Sequence, residues 1–163
     1  KMLERLLEAG FDKDISIKLI NSTLIANLEE DMYATLDVAI LDLYKGNLEF
    51  IKNGACPTFI KRGKEIQILK SLELPTGIVE NMDLVVYDYD LQPDDLIVMC
   101  TDGVIESNTE YISKELWIKY LLEDMQTTDA QKIADIILSE AIDNNYGKQK
   151  DDMTVIVAKI GRF

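Results

Sequence analysis

Two spacings of apolar residues alternate along the chain, one typical of amphipathic helices and one typical of strands. Helical spacing predicts two helices before residue 29, the first ending at Gly10 and the second capped by Asp12 or Asp14. The apolar residues on their inner faces are Leu3, Leu6, Leu7, Ile17, Ile20, Leu24 and Leu28. Both helices are interpreted as elements that pack on a core.

The middle of the chain has strand character. Apolar and β-branched residues predict strands over residues 35–43, 48–52, 57–61, 65–69, 82–87 and 96–101. Short turns separate several of them, among them Lys45-Gly46-Asn47 and Arg62-Gly63. Turns of this length join antiparallel neighbours, so the region predicts an antiparallel meander and not a series of βαβ units.

Helical spacing returns in the last third of the chain. One helix is predicted from a cap at Asn108 or Ser113, and another from a cap at Thr128 or Asp129. A loop at residues 146–148 then leads into a last strand over residues 153–160. Helices, antiparallel strands, further helices and a closing strand predict an α+β fold. The 163 residues are expected to form a single domain, residues 1–163.

Composition narrows the classes of function. The net charge is −13 and Lys and Arg are not clustered, so no nucleic-acid partner is expected. No apolar run approaches the roughly 20 residues of a membrane-spanning helix. Cys56 and Cys100 do not make a disulfide framework, which favours a reducing, cytoplasmic compartment. Because the chain has no histidine, serine–histidine catalysis, histidine-bound zinc and imidazole acid–base chemistry are excluded.

Carboxylates stand at the ends of two apolar strands. The strand at residues 96–101 leads into Asp102-Gly103, and Asp151-Asp152 precedes the last strand. Alone, each pair is a common turn sequence. Together they place carboxylates at the mouths of buried strands, where an unpaired charge is costly without a cation or donors. Such oxygen ligands suit Mg²⁺ or Mn²⁺ and not softer metals, and glycine at position 103 lets its carbonyl approach an ion closely.

The other acidic residues are interpreted as structural. Glu29-Glu30-Asp31, Asp94-Asp95 and Glu123-Asp124 are expected in solvated turns or at helix ends. On the strand at residues 35–43, Asp37 and Asp42 have opposite parity, which predicts different faces.

The two carboxylate motifs in combination resemble those of the metal-dependent serine/threonine phosphatases of the 2C type. Other segments resemble, within them, the phosphatase-domain family of bacterial stage II sporulation protein E. Those segments are Thr35-Leu36-Asp37, Phe59-Ile60-Lys61-Arg62-Gly63, Leu74-Pro75-Thr76-Gly77, Glu115-Leu116-Trp117 and Asp151-Asp152-Met153-Thr154-Val155. The resemblance spans essentially the whole chain.

The resemblance implies an antiparallel β-sandwich flanked by helices, in α-β-β-α layers, with two Mn²⁺ or Mg²⁺ ions at one end. Asp102 and Asp151 match the family's catalytic metal ligands, with Gly103 beside the first. Asp152 stands where relatives often have asparagine and is included in the predicted metal set. Family strands that carry a further aspartate–glycine pair are expected to precede Lys1, so the domain is expected to be truncated at its amino-terminal end.

The activity implied by the resemblance is hydrolysis of phosphoserine by a metal-activated water. The implied substrate is a phosphorylated anti-sigma-factor antagonist, whose dephosphorylation activates a sporulation sigma factor. The implied parent protein is anchored in the bacterial membrane and holds this domain in the cytoplasm. The amino-terminal helices resemble the family's switch elements, and a homodimer through them is a further expectation.

Two other classes of protein, a signalling receiver and a non-catalytic binding module, share part of this pattern. A response-regulator receiver also gathers aspartates around Mg²⁺, but it needs alternating strands and helices, which residues 35–69 do not provide. A non-catalytic binding module that retains the phosphatase fold is the alternative that the sequence leaves open.

Overall fold

The computed structural model describes residues 1–26, 33–108, 110–145 and 151–162. Three predictions lie outside these residues: the inward position of Leu28, the acidic run Glu29-Glu30-Asp31 and the loop at residues 146–148. The helices are α1 (Met2–Glu8), α2 (Lys13–Ile25), α3 (Asp102–Ile105), α4 (Leu116–Asp124) and α5 (Ala130–Asn144). The strands are β1 (Leu36–Asp42), β2 (Asn47–Asn53), β3 (Thr58–Arg62), β4 (Glu65–Leu69), β5 (Val86–Asp90), β6 (Leu96–Cys100) and β7 (Val155–Lys159).

The chain divides into two compact units. The first consists of Lys1–Ile40, Glu49–Ala55 and Ser71–Asp88, and the second of Leu41–Leu48, Cys56–Lys70 and Tyr89–Phe163. The strands form a three-stranded sheet in the order β1-β2-β5 and a four-stranded sheet in the order β4-β3-β6-β7. The prediction that residues 1–163 form one domain stays a prediction.

In the first unit, α1 and α2 pack together, and a small apolar core joins α2 to the strands. Ile17 of α2, Ile51 of β2 and Met82 are buried at its centre. Partly buried apolar side chains surround them: Leu3, Leu36, Val38, Ile40, Leu84 and Val86. The predicted helical pair is therefore present, and α2 buries the stripe residue Ile17.

The second unit is built on the four-stranded sheet, in which β3 pairs antiparallel with β4 and β6, and β6 pairs antiparallel with β7. α4 lies against β3 and β4, whereas α5 lies against β7. The buried residues of this core are Phe59, Ile66, Leu96, Val98, Cys100, Val104, Ile105, Trp117, Ile118, Leu122, Ile133, Ile137 and Ala141. This sheet and its core hold the ends of β6 and β7 in a fixed register.

Two predicted element boundaries were wrong. The strand predicted over residues 82–87 begins only at Val86, because Met82 and Leu84 alternate inward to fill the core of the first unit without joining a strand ladder. The helix predicted to be capped by Asn108 or Ser113 begins after Glu115, whose backbone is already helical. By contrast, Asp129 does cap α5, and its side chain accepts a hydrogen bond from the Lys132 N–H.

The interpretation of Asp94-Asp95 as a solvated turn was right for Asp94, whose side chain is 77% exposed, and wrong for Asp95. Asp95 is 1% exposed, and its carboxylate pairs with the Arg62 guanidinium at 2.7 Å. It also accepts a hydrogen bond from the Gln92 N–H at 2.8 Å. The carboxylate is buried because the guanidinium and this amide replace its contacts with water.

No helix in the described part of the chain combines the length and the apolar character needed to cross a membrane.

Candidate metal centre

The two carboxylate motifs meet at one end of the four-stranded sheet. β6 ends at Cys100, opposite Val155 at the start of β7. Thr101 continues this pairing, because its N–H donates to the Thr154 carbonyl at 3.1 Å. The antiparallel pairing thus brings Asp102-Gly103 beside Asp151-Asp152, although the two motifs are far apart in the sequence. The predicted site residues therefore lie together at one end of the second unit.

Gly103 is the point of closest approach between the motifs. A β-carbon added to it would lie 2.5 Å from the Asp152 carbonyl oxygen and 3.2 Å from the Asp151 β-carbon. Real β-carbons essentially never come within 3.0 Å of such an atom. The sequence suggested that the glycine exposes its own carbonyl to an ion, whereas its observed effect is to admit the neighbouring backbone.

The Thr101 side chain makes a second connection between the motifs. Its hydroxyl accepts a hydrogen bond from the Thr154 N–H at 2.9 Å and donates one to the Asp152 carbonyl at 3.2 Å. Its contacts could not be found from the sequence, because a threonine before a helix ordinarily indicates a cap.

The three aspartates of the predicted site are exposed, while Gly103 between them is buried. One oxygen of Asp102 accepts a hydrogen bond from the Gly103 N–H at 2.9 Å, and one oxygen of Asp151 accepts from the Asp152 N–H at 2.8 Å. Among the described residues, the second oxygen of each of these two carboxylates has no hydrogen-bond or ion-pair partner, and both residues are exposed.

The donors fit a hard divalent cation in kind. Carboxylate oxygens from Asp102, Asp151 and Asp152 are the ligands that Mg²⁺ and Mn²⁺ prefer. The set is small: within the described residues, no group of three or more Asp, Glu, Cys or His side chains is arranged to hold a metal ion. An ion held here would need further oxygen ligands, from water or from residues outside the described part of the chain.

The short helix α3, which carries Asp102, was not predicted, because four residues are too few to show a helical period. Two apolar residues, Val104 and Ile105, anchor it in the core. The Trp117 indole N–H donates to the Ile105 carbonyl at 3.1 Å, which satisfies a buried acceptor at the end of the helix. Trp117 is itself buried in the same core.

Cys100 lies directly before Thr101 but takes no part in the candidate centre. Its side chain is buried in the core, and burial raises the pKa of the thiol to about 12. A thiol with this pKa stays protonated near neutral pH and is neither a nucleophile nor a metal ligand.

The family model of Stage II sporulation protein E (SpoIIE) matches residues 1–161. The chain belongs to this family. Over 160 residues it is 39% identical to Stage II sporulation protein E of Bacillus subtilis (strain 168), and the match covers 98% of the chain and 19% of that protein. It is 25% identical over 160 residues to phosphoserine phosphatase RsbU of the same organism, covering 96% of the chain and 48% of that protein.

Solved structures agree with this assignment. The structure of the PP2C phosphatase domain of SpoIIE from Bacillus subtilis, with a fragment of its regulatory domain, matches with a TM-score of 0.89 and 38% identity. That match covers 98% of the chain and 48% of the solved chain. The Mn-presoaked phosphatase domain matches with a TM-score of 0.74 and 36% identity, covering 98% of the chain and 71% of the solved chain. The predicted α+β class and phosphatase fold are confirmed.

The chain spans about a fifth of the length of the SpoIIE protein from Bacillus subtilis, since the match covers 19% of it.

Proposed function

We propose that this chain is part of a metal-dependent protein serine phosphatase, in which Asp102 and Asp151 hold Mn²⁺ or Mg²⁺. The observation that carries the proposal is the contact between Gly103 and the Asp151-Asp152 backbone, which brings acids from distant segments to one strand end. Membership of the SpoIIE family and the match to PP2C phosphatase domains support it.

The charge of the chain also supports a need for cations. A net charge of −13, with three exposed aspartates at the candidate centre, repels a phosphoryl group. Divalent ions, when bound, neutralise phosphoryl oxygens and supply an activated water for hydrolysis. The carboxylates of Asp102 and Asp151 are proposed to bind the ions, and Asp152 to contribute a further oxygen.

The rest of the chain near the centre is proposed to orient these ligands. Gly103 allows the two acidic segments to lie in contact. Trp117 fixes the end of the helix that begins at Asp102. No histidine of this chain is available to protonate the leaving serine alkoxide, and water is proposed to supply that proton.

The proposed substrate is a phosphoserine protein of the anti-sigma-factor antagonist class, whose dephosphorylation activates a sporulation sigma factor. The description of RsbU as a phosphoserine phosphatase, together with the family match, supports this choice. Membrane anchoring of the whole protein, with this segment in the cytoplasm, remains part of the proposal.

A homodimer through the amino-terminal helices is also proposed. Five large apolar side chains on or near α1 and α2 are exposed by 40% or more: Met2, Leu7, Phe11, Ile15 and Leu19. Packing against a second copy would remove this surface from water.

The decisive experiment uses the whole protein that contains this chain. It measures the release of phosphate from a phosphoserine protein in the presence of Mn²⁺, of Mg²⁺ or of a chelator. Release that requires a divalent ion supports the proposal. The rival function is a binding module that retains the fold. It predicts binding of the phosphoprotein without release of phosphate under any of the three conditions.

A further inference from the structure

The Thr101 hydroxyl occupies an unusual position for a threonine at the start of a helix. Thr101 is the N-cap residue of α3, yet its side chain makes no capping hydrogen bond. The first turn is instead closed by the Thr101 carbonyl, which accepts from the Val104 and Ile105 N–H groups at 3.1 and 3.2 Å. The hydroxyl is therefore available for another partner.

That partner is the segment before β7. The hydroxyl oxygen accepts from the Thr154 N–H, and the hydroxyl hydrogen is donated to the Asp152 carbonyl. The Thr101 N–H donates to the Thr154 carbonyl as well. Thr101 thus makes three hydrogen bonds to residues 152–154. Two of them come from its side-chain hydroxyl, and their partners are backbone groups that lie outside the pairing of β6 with β7.

We infer that Thr101 is a positioning residue whose hydroxyl fastens the Asp151-Asp152 segment to α3, setting the distance between the two groups of acids. The inference rests on the proposed function for its consequence, because a set distance between carboxylates matters most when an ion must bind both. The fastening itself is a property of the protein without metal.

The contact at Gly103 explains why a fastening is needed. The segments touch there without any side chain from Gly103, and the Asp152 carbonyl and the Asp151 β-carbon lie beside the place that such a side chain would fill. The exposed acids on both sides repel each other at neutral pH. Hydrogen bonds from Thr101 oppose that repulsion at the same carbonyl, so the acids stay close before any cation arrives.

The test uses Thr101→Val, which keeps the shape of the side chain and removes the hydroxyl, and Thr101→Ser, which keeps the hydroxyl. In the whole protein without metal, Thr101→Val is expected to raise amide hydrogen exchange in the peptide containing residues 152–154 by about fivefold or more, because it removes two hydrogen bonds to that segment. Titration with Mn²⁺ alone is expected to show a Kd raised by a similar factor of about five. Thr101→Ser is expected to restore both values.

Thr127→Val is the matched control. The Thr127 hydroxyl also accepts a backbone N–H, that of Asp129 at 3.2 Å, and it lies just before α5. It is next in sequence to Thr128, which contacts Lys159 at the far end of β7. Thr127→Val is therefore expected to change neither exchange at residues 152–154 nor the Kd for Mn²⁺.

Unchanged exchange in Thr101→Val would overturn the inference, and so would a defect that Thr101→Ser shares in full. If Thr101→Val does not fold, Gly103→Ala tests the same junction from the other side, and an unchanged exchange at residues 152–154 would again overturn it. A wild-type protein that binds no Mn²⁺, while exchange responds to Thr101→Val as expected, would refute the proposed function and leave the fastening in place.

Discussion

The Asp152 carbonyl oxygen stands 2.5 Å from the place where a β-carbon on Gly103 would lie. Substituting Gly103 with Ala should therefore displace the Asp151-Asp152 backbone, since the close neighbour is main chain and not the flexible end of a side chain. We expect a loss of about 1–3 kcal/mol in the free energy of unfolding, as in other overpacked sites. Denaturant unfolding, with a Mn²⁺ titration beside it, measures both consequences.

Gly161→Ala provides the control for that substitution. Apart from the glycine itself and its two neighbours in the chain, no described residue has a heavy atom within 4 Å of a β-carbon built on Gly161. Its unfolding free energy is expected to match the wild type to within about 0.5 kcal/mol. A Gly103→Ala protein as stable as Gly161→Ala, with unchanged Mn²⁺ affinity, would contradict the importance of this contact.

Asp102→Asn and Asp151→Asn test the metal role directly. Each keeps the size of the side chain but removes the charge that a divalent ion needs, so metal-dependent phosphate release should fall by about 100-fold or more. Because both aspartates are exposed, the unfolding free energy should change by only about 0.5 kcal/mol. Steady-state assays over a range of Mn²⁺ concentrations provide the measurement.

Asp94→Asn is the matched control for the two aspartate variants. Asp94 is also exposed, it forms an ion pair with Lys159, and asparagine tolerates its positive φ of 70°. We expect full phosphate release from it. Wild-type turnover in Asp102→Asn or Asp151→Asn would refute the assignment of those residues.

A partly buried ion pair in the first unit is expected to contribute to the free energy of unfolding. The Lys52 side chain is 0% exposed and its ammonium lies 2.6 Å from the Asp37 carboxylate. Lys52→Met removes the cation beside the Asp37 carboxylate, whose side chain is 20% exposed, and we expect a loss of about 1–3 kcal/mol. Adding Asp37→Leu should recover most of the loss, and chemical denaturation of both single variants and the double variant measures the coupling.

Lys45→Met shows what the loss of a surface pair costs in the same protein. The Lys45 side chain is 81% exposed and lies 3.4 Å from Asp42. Its loss is expected to cost about 0–1 kcal/mol. If Lys52→Met proved no more harmful than Lys45→Met, the buried pair would have no special role in the first unit.

Glu115 predicts how stability depends on pH. Burial acts to raise the pKa of its carboxyl, but hydrogen bonds from Lys70 and from its own backbone, with the charge of Lys70, outweigh burial and lower the pKa below 4.5. A carboxyl with a lowered pKa in the folded state stabilises the protein above the unfolded value and loses this contribution as pH falls through the folded value. Glu115→Gln should therefore flatten the acid limb of the stability curve.

Thermal unfolding across the acid range, compared with Glu123→Gln, checks that prediction. Glu123 forms a partly exposed pair with Lys119 one turn away on α4, which is a weak arrangement. The slope of stability against pH below 4.5 should be smaller in Glu115→Gln than in Glu123→Gln or the wild type. Equal slopes in all three proteins would contradict the predicted role of the Lys70 pair.

The sequence predicted the elements that depend on interactions between residues close together in the chain. The pairing of β3 with β4 follows from apolar runs on both sides of a short turn, and Gly63 adopts the positive φ of 60° that such a turn requires. Asp129 was one of two candidate caps, and it could be proposed because its partner lies only three residues away. The α3 helix and the burial of Asp95 depend on contacts made by distant residues, Trp117 and Arg62, and no local pattern reports those.

The candidate centre shows the same division. Its acids were found because carboxylates at the ends of apolar strands are conspicuous in a sequence. The contacts that hold them together were not found, since Thr101 and Gly103 meet residues about 50 positions further along the chain.

The separation of Thr101 and Thr154 by 53 positions has a consequence for engineering. After the end of β6 the chain forms α3, α4 and α5, and it then enters β7, whose first residues are hydrogen-bonded to the end of β6. The geometry of the acids is thus set by the sheet edge and is independent of the contour length between them. Insertions into the connection between α4 and α5, or new termini opened there, should leave that edge intact.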